Sequence, residues 1–229
     1  EYGIYCGMPY AEFRKRVPVM EYKDLAPWVE RIQKGEKNVT WNSPVGWFCK
    51  SSGTTEGASK YIPLTKRGLR DSHMRGPLDV TAIYTHLYPN GGAYLGKTLI
   101  LGGSKKLEKK GDTIPSGDLS SILIDNTPTI GAPIREPHKS IALLADFDKK
   151  VRLICERCTK KDVRSLAGVP SWNLVMIERI LKYTGKDNLL EVWPNLELFV
   201  HGGMSFKPYK RQFEKLIPSA NMKYIETYN

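Results

Sequence analysis

From Lys97 onward, apolar runs of strand length alternate with segments whose apolar residues recur at helical spacing, and no other feature restricts the fold as much. Residues 97–101, 163–169, 196–200 and 222–226 read as buried strands. Between them, 119–125 and 209–216 read as helices, and 139–161 reads as one long helix, with Ile141, Leu144, Ala145, Phe147, Val151 and Ile154 on its apolar face. A further helix starts at Pro170-Ser171 with Ser171 as N-cap, packs through Trp172, Val175, Ile180 and Leu181, and stops at Gly185. Strands separated by helices return in the same direction, so the expected class is α/β: a mainly parallel sheet flanked by helices. No internal repeat interrupts this order.

The first 45 residues read as a helical leader, in which 22–34 places Leu25, Trp28, Val29 and Ile32 on one face. Residues 46–229 form the expected nucleotide-binding core. Strands at 46–50 and 61–64 enclose Ser51-Ser52-Gly53-Thr54-Thr55-Glu56-Gly57-Ala58-Ser59-Lys60. Thr65 is placed to cap a helix from Lys66, which Gly76-Pro77 should kink or split, and 105–117 reads as a surface loop. A polyphosphate needs many donors in a small volume. Gly53 and Gly57 permit the dihedrals that aim backbone N–H groups into one concavity, Ser51, Ser52, Thr54 and Thr55 add hydroxyls, and Lys60 adds charge. The stretch is no Walker A loop, since only three residues part the two glycines and no Lys-Ser or Lys-Thr follows. By composition alone a polar turn between strands is the favoured reading.

The net charge of +11 is compatible with nucleic acid, an anionic surface or phosphorylated ligands. The basic clusters lack interleaved aromatics, which favours a solvated surface and argues against nucleic acid as partner. The longest apolar runs fall well short of the roughly 20 residues that cross a bilayer, so no membrane partner is expected. Four cysteines do not make a secreted scaffold and no signal segment stands out, so the cytoplasm is the expected location. Cys155 and Cys158 have metal-site spacing but lie in a helical pattern without a second pair nearby. His201 at a strand end reads as structural rather than catalytic, and Asp112 and Asp118 as turn residues.

Several ordered segments together are more specific than the loop. Ser51 to Thr55 with Gly57 and Lys60-Tyr61-Ile62-Pro63, Leu166-Ala167-Gly168-Val169-Pro170-Ser171-Trp172, Trp193-Pro194-Asn195-Leu196, His201-Gly202-Gly203-Met204 with Pro208-Tyr209, and Glu226-Thr227-Tyr228-Asn229 follow one another along the chain. In this order the sequence resembles the acyl-acid amido synthetases of the plant auxin-responsive family and their bacterial relatives, in the acyl-adenylate-forming superfamily.

The resemblance implies an ATP-dependent ligase that adenylates a small carboxylic acid and passes the acyl group to an amino acid, releasing AMP and pyrophosphate. It assigns Ser51, Ser52, Gly53, Thr54, Thr55, Gly57 and Lys60 to the β- and γ-phosphates, and Gly202, Gly203, Thr227 and Tyr228 to adenine and ribose. Val169, Trp172 and Met204 are the implied wall of the acid or amine pocket, and each fits a plain core position as well. ATP and Mg²⁺ are the implied cofactors. The family's metal-holding Glu would fall past Asn229, as would a mobile C-terminal domain, so the sequence is expected to be an N-terminal portion inactive on its own, with no metal ligand assigned. Acid–thiol ligation with coenzyme A, and a non-catalytic basic binding module, are the alternatives.

Overall fold

A computed structural model of the chain describes residues 2–50, 60–104, 114–128 and 133–228. The chain forms an α/β structure with two sheets. Helices α1 (Tyr10–Arg16) and α2 (Tyr22–Gln33) come first. Of the four apolar positions predicted on α2, Val29 and Ile32 are buried, and they pack beside Phe48 while Leu25 is exposed. A capping box between Glu21 and Asp24 starts this helix.

The smaller sheet has the order β2-β1-β4, with β1 (Val45–Lys50) antiparallel to β2 (Tyr61–Thr65) and parallel to β4 (Ser116–Asp118). Lys50 pairs with Tyr61, so both ends of the intervening stretch leave the sheet side by side. Strand β4 corrects the reading of 105–117 as loop throughout, in that its end is strand: Ser116-Gly117-Asp118 has no apolar alternation to announce it and pairs only through β1. Thr65 caps the next turn by accepting from the Gly68 amide. That short helix, α3 (Lys66–Gly68), continues into a π-turn over Leu69–His73, and a fresh helix, α4 (Gly76–Leu87), begins where Pro77 was expected to interrupt it.

The larger sheet is all parallel, in the order β5-β3-β6-β7-β8, built from β3 (Lys97–Leu101), β5 (Arg135–Glu136), β6 (Val163–Gly168), β7 (Leu198–Gly202) and β8 (Lys223–Thr227). Strand β7 starts two residues later than the sequence reading, because Trp193-Pro194-Asn195-Leu196 closes a turn beneath the sheet. The Trp193 ring is 1% exposed and its Nε1 donates to the Cys158 carbonyl, so this motif is a packing device at the edge where the strands enter.

Two helical layers cover the sheet. On one face Phe199 and Leu166 pack with α7 (Phe147–Cys158), α8 (Pro170–Thr184) and α9 (Lys210–Leu216) in the principal core. On the other, Leu198, Val200 and Ile225 meet Tyr84 of α4, as strand alternation requires. Tyr84 is 1% exposed; its hydroxyl binds the Glu197 carboxylate and accepts from the Ala93 amide.

Two helix readings need correction. The predicted helix over 139–161 is two, α6 (Lys139–Ala142) and α7, because Asp146 caps the second by accepting from the Lys149 amide. Helix α8 has Val169 as N-cap and Pro170 in its first turn, so Ser171 is already helical. Its buried face is Asn173, Met176, Ile177, Ile180 and Leu181, leaving Trp172 and Val175 exposed. The stop is as read: Gly185 is left-handed at φ 66°.

Candidate functional site

In parallel sheets the connections leaving the carboxyl ends of the strands gather on one side, where ligands bind. Here β3 leads into Gly102-Gly103, β6 into Gly168-Val169-Pro170, β7 into Gly202-Gly203-Met204, and β8 into Tyr228. The register brings these together: Leu101 pairs with Gly168, Gly168 with His201, and Gly202 with Thr227.

Glycine is required at this level. A Cβ on Gly168, whose φ is +137°, would stand 2.6 Å from the Leu101 carbonyl oxygen. One on Gly202 would stand 2.4 Å from the Thr227 oxygen, and Gly203 turns at φ +82° with its Cβ position 3.3 Å from Val169. The result is a close-packed ledge of backbone where the ends of neighbouring strands approach one another.

Gly202, Gly203, Thr227 and Tyr228 therefore come together. Tyr228 is fully exposed at the end of β8. The Thr227 hydroxyl donates to the His201 carbonyl at 3.1 Å, which locks β7 to β8 and leaves its oxygen lone pairs for a ligand. Val169 lies beside Gly203, where an added Cβ would meet it, and Met204 follows in the chain, exposed. Trp172 stands apart: it is 54% exposed and packs edge-on against Phe147 of α7.

His201 is buried, its ring stacked 4.2 Å from Phe206 with Nδ1 unpartnered, and burial holds its pKa below the ordinary value. A buried, neutral imidazole in an aromatic cluster is packing, in line with the structural reading. Burial likewise raises the Cys158 thiol to about 12, with the Glu136 carboxylate 3.8 Å away adding to it. Cys155 and Cys158 are both buried in the principal core.

Ser51, Ser52, Gly53, Thr54, Thr55 and Gly57 lie outside the described residues, as does Asp112. The supports of the stretch are visible. Its first residue follows Lys50, whose register partner in β4 is Asp118, and its last, Lys60, holds its ammonium 5.6 Å over the Tyr22 ring. The Tyr22 hydroxyl donates to the Tyr61 carbonyl and accepts from the Tyr61 amide, so α2 fixes the return strand.

One cluster at this edge has no apolar or motif signal in the sequence. Asp118 caps α5 (Leu119–Asp125) by accepting from the Ser120 and Ser121 amides, as turn chemistry predicts. It also accepts from the Ser120 hydroxyl, which in turn accepts from the Gly103 amide at 2.7 Å. On the other side of the same turn, Lys150 donates to the Gly102 carbonyl at 3.1 Å.

The model of the GH3 family N-terminal domain matches residues 1–158 and 117–222. Indole-3-acetic acid-amido synthetase GH3.15 of Arabidopsis thaliana is 28% identical over 192 residues, which are 80% of this chain and 30% of that protein. Indole-3-acetic acid-amido synthetase GH3.8 of Oryza sativa subsp. indica is 40% identical over 68 residues, 28% of this chain and 11% of its own length. Among solved structures, the AtGH3.15 acyl acid amido synthetase in complex with 2,4-DB superposes with a TM-score of 0.72 at 19% identity, covering 96% of this chain and 47% of that one. The chain thus spans less than half the length of these relatives.

Proposed function

This chain belongs to the GH3 family, and on that premise we propose that it forms the nucleotide-gripping part of an ATP-dependent ligase joining a small carboxylic acid to an amino acid. The observation that carries the reading is the glycine ledge at the carboxyl edge of the parallel sheet. Gly168, Gly202 and Gly203 can bear no side chain there, and the exposed Tyr228 ring stands beside them.

The purine lies along Gly202-Gly203 with Tyr228 on one face, a contact worth about 1–3 kcal/mol by analogy with base stacking. Thr227 accepts from a ribose hydroxyl while its own proton stays on the His201 carbonyl. The stretch from Ser51 to Lys60 receives the β- and γ-phosphates. The acid rests against Val169 and Met204, with Trp172 at its outer margin. Its carboxylate oxygen attacks the α-phosphorus in line, the bond to the bridging oxygen breaks, and pyrophosphate leaves. The amino group of the second substrate then attacks the acyl carbon, expelling AMP and giving up a proton. Positioning and charge neutralisation dominate such chemistry, and no side-chain nucleophile is needed. Mg²⁺, when bound, would supply neutralisation of phosphate charge; the described residues hold no group of three metal-ligating side chains.

The test is ATP–pyrophosphate exchange by the full-length protein across a panel of carboxylic acids, followed by product mass with amino acids or coenzyme A. Acid-dependent exchange and an amide product are expected. A thioester would move the assignment to acid–thiol ligation, and salt-sensitive nucleic-acid binding without exchange would leave a basic binding module.

A further inference from the structure

Lys150 is 4% exposed, in the first turn of α7, and among the described residues its side chain has one hydrogen bond, to the Gly102 carbonyl. Burying an ammonium against one carbonyl is unfavourable for stability, and an apolar side chain of similar length would be tolerated better. Gly102 and Gly103 form the turn after β3, and Gly103 is held from the opposite side through Ser120 to Asp118. Space for this hold is exact: a Cβ on Gly103 would stand 2.7 Å from the Asp118 carboxyl carbon, and one on Gly102 2.5 Å from Ile124. Asp118 is in turn the register partner of Lys50, the residue before Ser51. A continuous chain of contacts therefore runs from α7 through the β3 turn to the base of the Ser/Gly/Thr stretch.

We propose that Lys150, Ser120 and Asp118 form a latch across the Gly102-Gly103 turn that sets the larger sheet's edge against the base of the phosphate-binding stretch, making Lys150 a positioning residue for the nucleotide's phosphates. The latch rests on the ligase reading for its ligand but not for its structure. Lys150 acts through its hydrogen bond, so a shorter neutral donor replaces it in part, whereas an apolar residue does not. Burial lowers the Lys150 pKa, and the Asp118 charge offsets part of that shift.

The experiment compares wild type, Lys150→Met and Lys150→Gln in the full-length protein by amide hydrogen exchange at Gly103 and by pyrophosphate exchange with varied ATP. Lys150→Met is expected to keep its unfolding midpoint, lose Gly103 protection and raise KM for ATP about tenfold, the scale of one charge-assisted hydrogen bond, with KM for the acid unchanged. Lys150→Gln should restore most of both readouts. Wild-type Gly103 protection and KM in Lys150→Met overturn the latch. If Lys150→Met does not fold, Ser120→Ala removes the acceptor of the Gly103 amide instead, and an unchanged KM for ATP in that variant overturns it too. Absence of exchange in the wild type refutes the ligase reading alone, and Gly103 protection still decides whether Lys150 holds the turn.

Discussion

At Gly168 a single methyl group separates a working ledge from a steric clash. Gly168→Ala places Cβ 2.6 Å from the Leu101 oxygen in a backbone conformation of φ +137°, so the strand or the turn must shift. We expect a loss of about 2 kcal/mol in urea unfolding, together with weakened nucleotide binding by calorimetry. In the proposed phosphate-binding stretch, Ser52→Ala combined with Thr55→Ala should raise KM for ATP by roughly 10²- to 10⁴-fold, since hydrogen bonds to charged groups contribute about 1.5–3 kcal/mol each. Unchanged ATP use in pyrophosphate exchange would remove these hydroxyls from the site. His201 gives a pH signature. Its pKa in the fold lies below 6.5, so as pH falls through 6.5 the unfolded chain takes up a proton that the fold resists. Stability should therefore decline from pH 7 toward pH 5, and His201→Leu should flatten that slope in urea titrations. Residues were legible where chemistry was local: Gly185 as a stop and Thr65 as a cap follow from backbone rules. Trp172 was misplaced because exposure on α8 depends on where α7 lies, which spacing within α8 does not encode.

Among the elements, α7 shows how a cap overrides apolar periodicity. The pattern from Ile141 to Ile154 runs unbroken, yet Asp146 accepts from the Lys149 amide and begins a new helix. Asp146→Ala should cost about 1 kcal/mol, measurable as a lower thermal midpoint with nucleotide affinity unaltered. In the larger sheet β3, β6, β7 and β8 are readable as apolar runs of strand length, whereas β5, the pair Arg135-Glu136, has no apolar residue to announce it. Strand β4 was not readable either, since three polar or glycine residues become a strand only by pairing with Phe48, Cys49 and Lys50. The Lys150, Ser120 and Asp118 cluster was hidden for the same reason: its members are 32 residues apart at most in sequence, 118 to 150, but carry no shared spacing. Tertiary contact alone unites them.

Across the whole molecule, the order of the motifs places four connections on one edge of the parallel sheet, and that much could be read from strand alternation alone. The charge of +11 fits an anionic substrate attracted to the molecule. Nucleotide association should slow as ionic strength rises from 0.05 to about 0.5 M, where screening lengths shrink to a few ångströms; stopped-flow binding at varied salt measures this.

The two sheets carry separate apolar clusters, one around Cys49, Leu64, Leu69 and Ile122 and one around Leu99, Leu166 and Phe199. The proposed phosphate grip springs from the first and the purine ledge from the second. On the proposed function, a bound triphosphate would be a tie-beam between two masonry walls, sharing its load with the seam of side chains beneath it. On the same reading, tightening that seam would raise nucleotide affinity without touching the ligand, and departure of pyrophosphate would remove the tie between the two sheets.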